Sequence, residues 1–207
     1  MQKQPDEKDT KTTSETTPLS RTFVFSFSFF KQYSKQDQKS YKDEIKTLGS
    51  FNTVEGFWSY YRHMVRPDKL PAGCEINLFQ EGIQPMWEDE ANKGGARYIL
   101  RIKPTHANKF WEELIIGFIG EQCDDNDDIC GLVLSVRSTE VLISLWTKRL
   151  DEKTKANIKD WIFKTLGLSE KAEIEFRQHP RKDDQSNPNQ GKFHKRIDDY
   201  KPKQAAQ

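Results

Sequence analysis

Cysteine is scarce in this chain: its 207 residues include only three, and their spacing matches no zinc-binding motif. They are Cys74, Cys123 and Cys130. An odd number of cysteines without metal-ligand spacing predicts reduced thiols, and therefore a protein of a reducing compartment. We expect a cytoplasmic location, with the nucleus as a second one.

The chain also lacks a long hydrophobic run. Residues Met1 to Pro5 begin no apolar segment of the signal-peptide kind, and no later stretch reaches the length that spans a membrane. We therefore expect a soluble, intracellular protein without a membrane partner.

Net charge is almost absent, at +1. This balance argues against a protein that coats duplex nucleic acid through its phosphates, although it is compatible with a local basic patch for a single nucleotide. Hydrophobic residues make up 34% of the chain and aromatic residues 12%. Together these values predict one domain with a core of large rings and with polar tails.

Catalytic and metal-binding patterns are missing as well. The acidic run from Asp124 to Asp128 alternates oxygen ligands, but the glycine and the closing glutamate of an EF-hand loop do not follow it. We interpret the run as an acidic surface turn. The four histidines are far apart, and none lies in a nucleophile motif. The sequence thus predicts a binding protein without catalytic activity, metal or cofactor.

Composition divides the chain into three parts. Residues 1–17 contain no aliphatic or aromatic residue after Met1, so we expect a disordered tail there. Residues 181–207 are mostly polar with several Lys and Arg, and predict a flexible basic C-terminal tail. The folded domain is predicted over residues 18–180.

Six stretches have the pattern of β-strands. In the first, Phe23 to Phe30, aromatic residues recur at every second position, the period of a half-buried strand. The others are residues 76–79, 98–102, 132–136, 141–146 and 174–176. Arg137 extends the fourth stretch, so only Ser138, Thr139 and Glu140 separate it from the fifth, which predicts a hairpin.

Three helices are predicted between the strands. The first opens at Asn52, where Glu55 three residues later completes the pattern of a capping box. The second spans about residues 106–120 and the third about residues 152–166, each with apolar residues at helical spacing. This arrangement predicts an α/β (α+β) fold, an antiparallel sheet with helices on one face and the other face free for a ligand.

A tryptophan followed directly by a carboxylate, Trp87-Glu88, opens an acidic run. An indole ring stacks on a base, and a carboxylate accepts two hydrogen bonds from the N1–H and N2–H₂ edge of guanine. Methylation at N7 makes the base cationic and adds a cation–π attraction of about 0.5–2 kcal/mol for each ring. Alone, the pair is more typical of a solvated turn than of a base-binding site, so the surrounding sequence decides between these two interpretations.

That context resembles the eukaryotic translation initiation factor 4E family, whose members bind the 7-methylguanosine cap of mRNA. The resemblance covers residues 18–180 in order, and it lies in residues 53–61, 78–90, 119–122 and 130–146. Ser40-Tyr41 and His63 to Pro67 resemble its class II, 4E-homologous branch. The resemblance implies a curved antiparallel sheet, three helices on the convex face, a cap slot on the concave face, and a role in translation initiation or its regulation.

The resemblance also implies roles around the methylated base. Tyr41 and Trp87 would stack on its two sides, and Glu88 would bind its Watson–Crick edge. Trp146 would lie against the N7-methyl group. Each role suits the chemistry, since aromatic faces attract a cationic ring and a carboxylate accepts from two donors.

Arg97 and Arg137 would bind the phosphates of the cap, because a guanidinium group pairs with phosphate. The main initiation factor carries a lysine four residues before the Trp146 position, and this chain has Leu142 there. It also has Tyr41 in place of a tryptophan. Both differences predict weaker cap binding than in the main factor.

A second surface is implied on the helices, where a scaffold or repressor protein would bind through a short helix of the Tyr-x-x-x-x-Leu-hydrophobic type. The residues assigned to it are Pro18, Val54, Trp58, Glu113, Ile115, Ile116, Ile119 and Gly120. Core packing is the alternative for Val54, Ile115 and Ile119. We expect the protein to act as a monomer.

Two questions stay open at this point. One is whether the protein recruits mRNA to translation as an initiation factor or occupies the cap as a repressor; the class II features favour regulation. The other is whether it is a protein-interaction module that uses the Trp58 surface, with weak or lost cap binding. An enzyme acting on nucleotides is disfavoured, because no acid–base pair or metal site accompanies Trp87.

Overall fold

The structure, a computed structural model, describes residues 16–29, 41–149 and 151–179. For residues 41 and 42 it describes the backbone alone. Seven strands form one antiparallel sheet in the order β2-β1-β3-β5-β6-β4-β7. They are β1 Pro18–Phe29, β2 Lys46–Thr53, β3 Cys74–Gln80, β4 Ala96–Ile102, β5 Ile129–Val136, β6 Val141–Thr147 and β7 Glu175–Gln178.

Three longer helices cover one face of this curved sheet, and a one-turn helix precedes β2. The helices are α1 Tyr41–Glu44, α2 Val54–Tyr61, α3 Pro104–Ile119 and α4 Glu152–Leu166. Side chains of α2, α3 and α4 share one buried cluster with one face of the strands, including Phe57, Phe118 and Ile158. The predicted antiparallel sheet with three helices on its convex face is confirmed.

The start of α2 differs from the prediction. Thr53 and not Asn52 caps the helix, since its side chain accepts a hydrogen bond of 3.0 Å from the backbone N–H of Gly56. Glu55 does not complete a capping box, because its Oε2 accepts from the backbone N–H of Thr17 at 2.8 Å. The predicted capping box was therefore wrong, and the carboxylate ties the segment before β1 to the helix.

Thr17 forms a second hydrogen bond with the same helix. The carbonyl oxygen of Thr17 also accepts from the backbone N–H of Val54 at 2.9 Å. The backbone N–H and the carbonyl oxygen of Thr17, the last residue of the predicted N-terminal tail, are thus both hydrogen-bonded to α2. The rest of both predicted tails, residues 1–15 and 181–207, lies outside the described residues.

Both ends of α4 lie where the sequence predicted them. Asp151 caps its first turn through a 2.9 Å bond from the N–H of Thr154. Gly167 ends the helix with φ of 61°, a left-handed conformation that glycine adopts without a Cβ clash. The sequence placed both ends correctly because each has its own local signal.

Strand β1 is buried on both faces. Phe23 and Phe25 are fully buried against the helices, and Ser26 and Ser28 are buried on the opposite, concave face. Its small polar residues therefore face the concave side of the sheet, and the cavity described below lies on the same side over strands β3 to β7.

The three cysteines are free and buried, on β3, after α3 and on β5. The predicted acidic surface turn at 124–128 is only partly exposed, because a 3₁₀ turn buries Asn126 and Asp128. Within the described ranges, no helix has the length and apolar character needed to cross a membrane. Nor do three or more His, Cys, Asp or Glu side chains group there as a metal site would require.

Candidate ligand-binding site on the concave face

A cavity of about 490 Å³ lies on the face of the sheet away from the helices. Strands β3 to β7 form its floor, and the loop between β3 and β4 contributes Pro85, Met86, Trp87 and Glu88 to its mouth. Its volume falls in the range of sites for small ligands such as nucleotides. Four arginines line it against two glutamates, so the lining is net positive.

Strand pairing orders the residues of the floor. One row across the sheet nearest the loop is Phe79, Gly131, Trp146, Arg97 and Arg177, each on the strand next to its neighbour. Adjacent strands are about 4.8 Å apart, so the row passes from aromatic to basic within about 10 Å. An aromatic base and its phosphates require this kind of gradient.

A second row, further from the loop, carries mixed charge. It consists of Glu75, Ser135, Leu142 and Arg101. Ser135 Oγ donates to Glu75 Oε1, and Nη2 of Arg137 lies 3.5 Å from the same oxygen. Arg137 thus reaches the cavity from the β5–β6 turn, in the region where the sequence predicted a phosphate ligand.

Trp87 and Glu88 stand at the mouth with their side chains available. Trp87 is 41% exposed, which is unusual for so large an apolar side chain, and Glu88 is exposed as well. Both line the cavity. An exposed indole at the edge of a polar pocket provides a free stacking face, and the adjacent carboxylate provides two acceptor oxygens.

A buried amide holds this loop in place. The Asn92 side chain is fully buried and donates two hydrogen bonds of 2.8 Å, to the carbonyl oxygens of Gln84 and Met86. Asp89 Oδ2 accepts from the N–H of Gln84 at 3.0 Å. These contacts fix the backbone on both sides of Trp87. Asn92 and Asp89 were not predicted as site residues, although Asn and Asp in a loop signal such side-chain-to-backbone bonds.

Trp146 forms the inner wall of the cavity. It is 7% exposed, and its ring meets Phe79 edge-on at 5.8 Å and His179 at 4.4 Å between centroids. Gly131 makes this packing possible, since a Cβ there would lie 2.4 Å from the Phe79 ring. Trp146 therefore presents only part of its surface, as expected of a residue that is both core and pocket wall.

The structure brings five of the six predicted cap residues to one cavity. They are Trp87, Glu88, Arg97, Arg137 and Trp146. The sixth, Tyr41, begins α1, and its side chain lies outside the described residues.

Three charged residues of the floor escaped prediction: Glu75, Arg101 and Arg177. Arg101 pairs with Glu140 at 2.8 Å and with Glu175 at 3.4 Å, and Arg177 also pairs with Glu175. Alternation along β4 would have placed Arg101 on the same face as Arg97. Arg177 was missed because the last predicted strand ended at residue 176.

The convex side carries the second predicted surface. Trp58 is 41% exposed, and its ring packs edge-on against Phe57 at 4.9 Å and Tyr61 at 5.9 Å. Pro18 and Gly120 are exposed. An exposed tryptophan held in a fixed orientation by two rings is a suitable anchor for a partner.

The other residues predicted on this surface divide into two groups. Val54, Glu113 and Ile116 are partly exposed. Ile115 is 0% and Ile119 6% exposed, and both belong to the main core cluster. Their assignment as partner contacts is corrected: they pack α3 on the sheet, since they lie on the face of the helix that the core covers.

A family comparison agrees with this geometry. The family model described as "Eukaryotic initiation factor 4E" matches residues 18–194. The chain belongs to the eukaryotic initiation factor 4E family. The family match confirms the resemblance that the sequence showed.

Individual relatives give the extent of the similarity. The chain is 39% identical over 163 residues to "Eukaryotic translation initiation factor NCBP" of Oryza sativa subsp. japonica, covering 78% of this chain and 71% of the relative. It is 34% identical over 153 residues to human "Eukaryotic translation initiation factor 4E", covering 71% and 70%.

Solved structures show the same fold. Caenorhabditis elegans eIF4E-3 in complex with the 4E-binding protein Mextli matches with a TM-score of 0.74 at 29% identity, over 80% of this chain and 94% of that one. Ascaris suum eIF4E-3 in complex with the m7G cap matches with a TM-score of 0.72 at 32% identity, over 80% and 93%.

Proposed function

We propose that this protein binds the 7-methylguanosine cap of mRNA and acts in translation initiation or its regulation. The observation that carries the proposal is the exposed Trp87-Glu88 pair at the mouth of a cavity with Trp146 in its wall and arginines on its floor. Membership in the 4E family and the cap-bound Ascaris relative support it. The proposal involves no catalytic step.

The aromatic residues select the methylated base. The cationic ring stacks on Trp87, and Tyr41 at the start of α1 supplies the second face. Two such faces contribute about 1–4 kcal/mol in cation–π attraction, which unmethylated guanine lacks because its ring is neutral. Trp146 closes the side of the slot and excludes water from the N7-methyl group.

The charged residues select guanine and its phosphates. The Glu88 carboxylate accepts from N1–H and N2–H₂, and each hydrogen bond to a charged group is worth about 1.5–3 kcal/mol. Adenine offers no such pair of donors. Arg97 and Arg137 attract the phosphate chain along the floor. The direction of regulation, as initiation factor or as repressor, is independent of this chemistry.

A fluorescence titration with 7-methyl-GTP and GTP tests cap recognition. We expect tighter binding of the methylated nucleotide by at least about fivefold, from the cation–π attraction. Glu88→Ala should weaken 7-methyl-GTP binding by at least about tenfold, since it removes two charge-assisted bonds. The matched control is Glu81→Ala, which removes an exposed carboxylate of the same loop outside the cavity lining. Equal binding of the two nucleotides would refute cap recognition and leave the Trp58 surface as the main functional feature.

We further propose that a scaffold or repressor protein binds the convex side through a Tyr-x-x-x-x-Leu-hydrophobic helix, centred on Trp58 and flanked by Pro18, Val54 and Ile116. The Mextli complex of the C. elegans relative supports a partner of this class. The protein would act as a cytoplasmic monomer without a membrane partner, and residues 18–180 would form the binding domain.

Trp58→Ala tests this surface. We expect it to weaken a Tyr-x-x-x-x-Leu-hydrophobic peptide by about 2 kcal/mol or more, as an interface anchor does. Val65→Ala is the control, since Val65 is 57% exposed and lies outside the proposed surface. Peptide affinity would be measured by calorimetry, with thermal unfolding to verify the fold. Undiminished affinity in folded Trp58→Ala protein would remove the assignment.

A further inference from the structure

Two arginines lie directly opposite each other in the sheet. Arg97 on β4 is paired in register with Arg177 on β7, and both line the cavity. Like charges in directly opposite positions of an antiparallel pair destabilise the sheet. Their juxtaposition beside a cavity therefore indicates that an anion belongs between them.

The surrounding carboxylates offset this repulsion only in part: Glu175 and Glu75 favour the charged form of Arg97, but burial and Arg177 oppose it more strongly and the pKa stays lowered. Arg101 has two carboxylate partners within 4 Å, and Arg137 has Glu75. Glu175 is shared between Arg101 and Arg177. Arg97 forms no ion pair within that distance with any residue that the structure describes.

The Glu175 contact also orients Arg177. The buried Glu175 carboxylate, with its side chain 3% exposed, accepts from Nε of Arg177. One edge of the planar guanidinium is thus anchored, and the two Nη groups are at its other end. A guanidinium held in this way binds a phosphate with little loss of side-chain entropy.

Burial is a second effect that disfavours the charged form of Arg97. Burial, followed by the nearby positive charge of Arg177, lowers the pKa of the Arg97 guanidinium. Both effects oppose the charged form, and a bound anion would relieve both. The pocket therefore suits a ligand that carries more than one negative charge.

We propose that Arg177 is a phosphate-binding residue of the cap site and forms, with Arg97, a two-guanidinium clamp on the phosphate chain of the cap. This inference rests on the proposed function and deepens it. Trp146, Arg97 and Arg177 occupy successive strands of one row, so the clamp begins about 5 Å from the aromatic wall and ends about 10 Å from it. The phosphate chain then runs across the sheet toward the β7 edge.

The test compares ligands that differ only in phosphates. Arg177→Gln should weaken 7-methyl-GTP by about three- to tenfold, between the effect of an exposed ion pair and that of a desolvated charged bond. It should leave the nucleoside 7-methylguanosine unaffected. Arg177→Lys should give an intermediate loss, because a point charge replaces the fork. Arg62→Gln, an exposed arginine outside the cavity lining, is the matched control.

The outcomes separate this proposal from the one it rests on. Arg177→Gln protein that binds 7-methyl-GTP as tightly as wild type overturns the clamp, as does an equal loss for nucleoside and triphosphate, which would indicate altered folding of the slot. Wild-type protein that binds GTP and 7-methyl-GTP equally would overturn cap recognition itself, and the clamp with it. A loss that grows from nucleoside to mono- to triphosphate supports the clamp.

Discussion

Leu142 is an apolar residue among charged neighbours on the cavity floor. It lies between Arg101 on β4 and Ser135 on β5, and Glu75 follows in the same row. It lines the cavity and is only partly buried. A longer side chain with a charge would therefore reach the space where we place the phosphates.

We predict that Leu142→Lys tightens 7-methyl-GTP binding. The ammonium group would add a phosphate contact, while Glu75 nearby would offset its repulsion from Arg101. We expect a gain of about three- to tenfold at low salt, decreasing as salt screens the charge. Titration at two salt concentrations measures it.

Leu142→Met serves as the uncharged control of similar length. A gain of the same size with methionine, or no gain with lysine, would show that charge at this position does not limit the affinity.

At the scale of elements, α3 has two faces with different roles. Its inner face packs on β1, β5 and β6 and against α4. Its outer face carries partly exposed residues such as Ile116, which we assign to the proposed partner surface. Two consecutive isoleucines show the division: Ile115 is fully buried, and Ile116 is partly exposed.

We predict effects of different size on stability for Ile115→Ala and Ile116→Ala. Ile115→Ala should lower the free energy of unfolding by about 2–5 kcal/mol, since it leaves a cavity in the core. Ile116→Ala should lower it by about 1 kcal/mol, and should weaken the partner peptide. Urea unfolding and peptide titration measure the two quantities. Equal destabilisation by both variants would contradict the division of the helix.

Elements with a local signal could be predicted from sequence. The β5–β6 hairpin and α4 have such signals, and the structure places them within a few residues of the prediction. Strand β2 was missed, because only Phe51 of its eight residues is buried and no alternation marks it. Its strand conformation follows from pairing with β1, which is a tertiary contact.

Site residues could be predicted where the residue types themselves indicate the chemistry, as in Trp87-Glu88. They were much harder to predict where the role depends on the position of the residue in the fold. Arg177 becomes a site residue only because β7 pairs with β4, and Ile115 is excluded from the partner surface only because of how α3 is rotated. Register between strands distant in sequence cannot be obtained from either strand alone.

At the scale of the whole molecule, one histidine links the cap slot to stability. His179 is 4% exposed and packs against Trp146, and its backbone N–H donates to the carbonyl oxygen of Gly95 at 2.9 Å. Burial, followed by the positive charge of Arg97, lowers the pKa of His179 to about 4. The folded protein thus holds this ring neutral in a range where the unfolded chain protonates it.

We predict that the free energy of unfolding falls as the pH is lowered from about 6.5 to about 4. In this window the unfolded state binds more protons than the folded state, so protonation favours unfolding. The loss from this residue is on the order of 3 kcal/mol, complete below the folded pKa. Denaturant unfolding at several pH values measures it.

His179→Gln should flatten this slope while leaving the contribution of the carboxylates at lower pH. The slope is the readout, so a constant loss of stability in the variant does not affect the test. An unchanged slope would show that His179 is not the responsible group.

The buried cysteines have a consequence for covalent chemistry. Burial raises the pKa of Cys123 to about 11 and that of Cys130 to about 12, and it also raises the pKa of Cys74. Alkylating reagents and oxidants attack the thiolate, which is almost absent from such sites. Each cysteine becomes reactive only when its segment opens to solvent, so its rate of modification measures how often that segment opens. The modification rates of the three cysteines therefore report the local opening of the native protein at three positions.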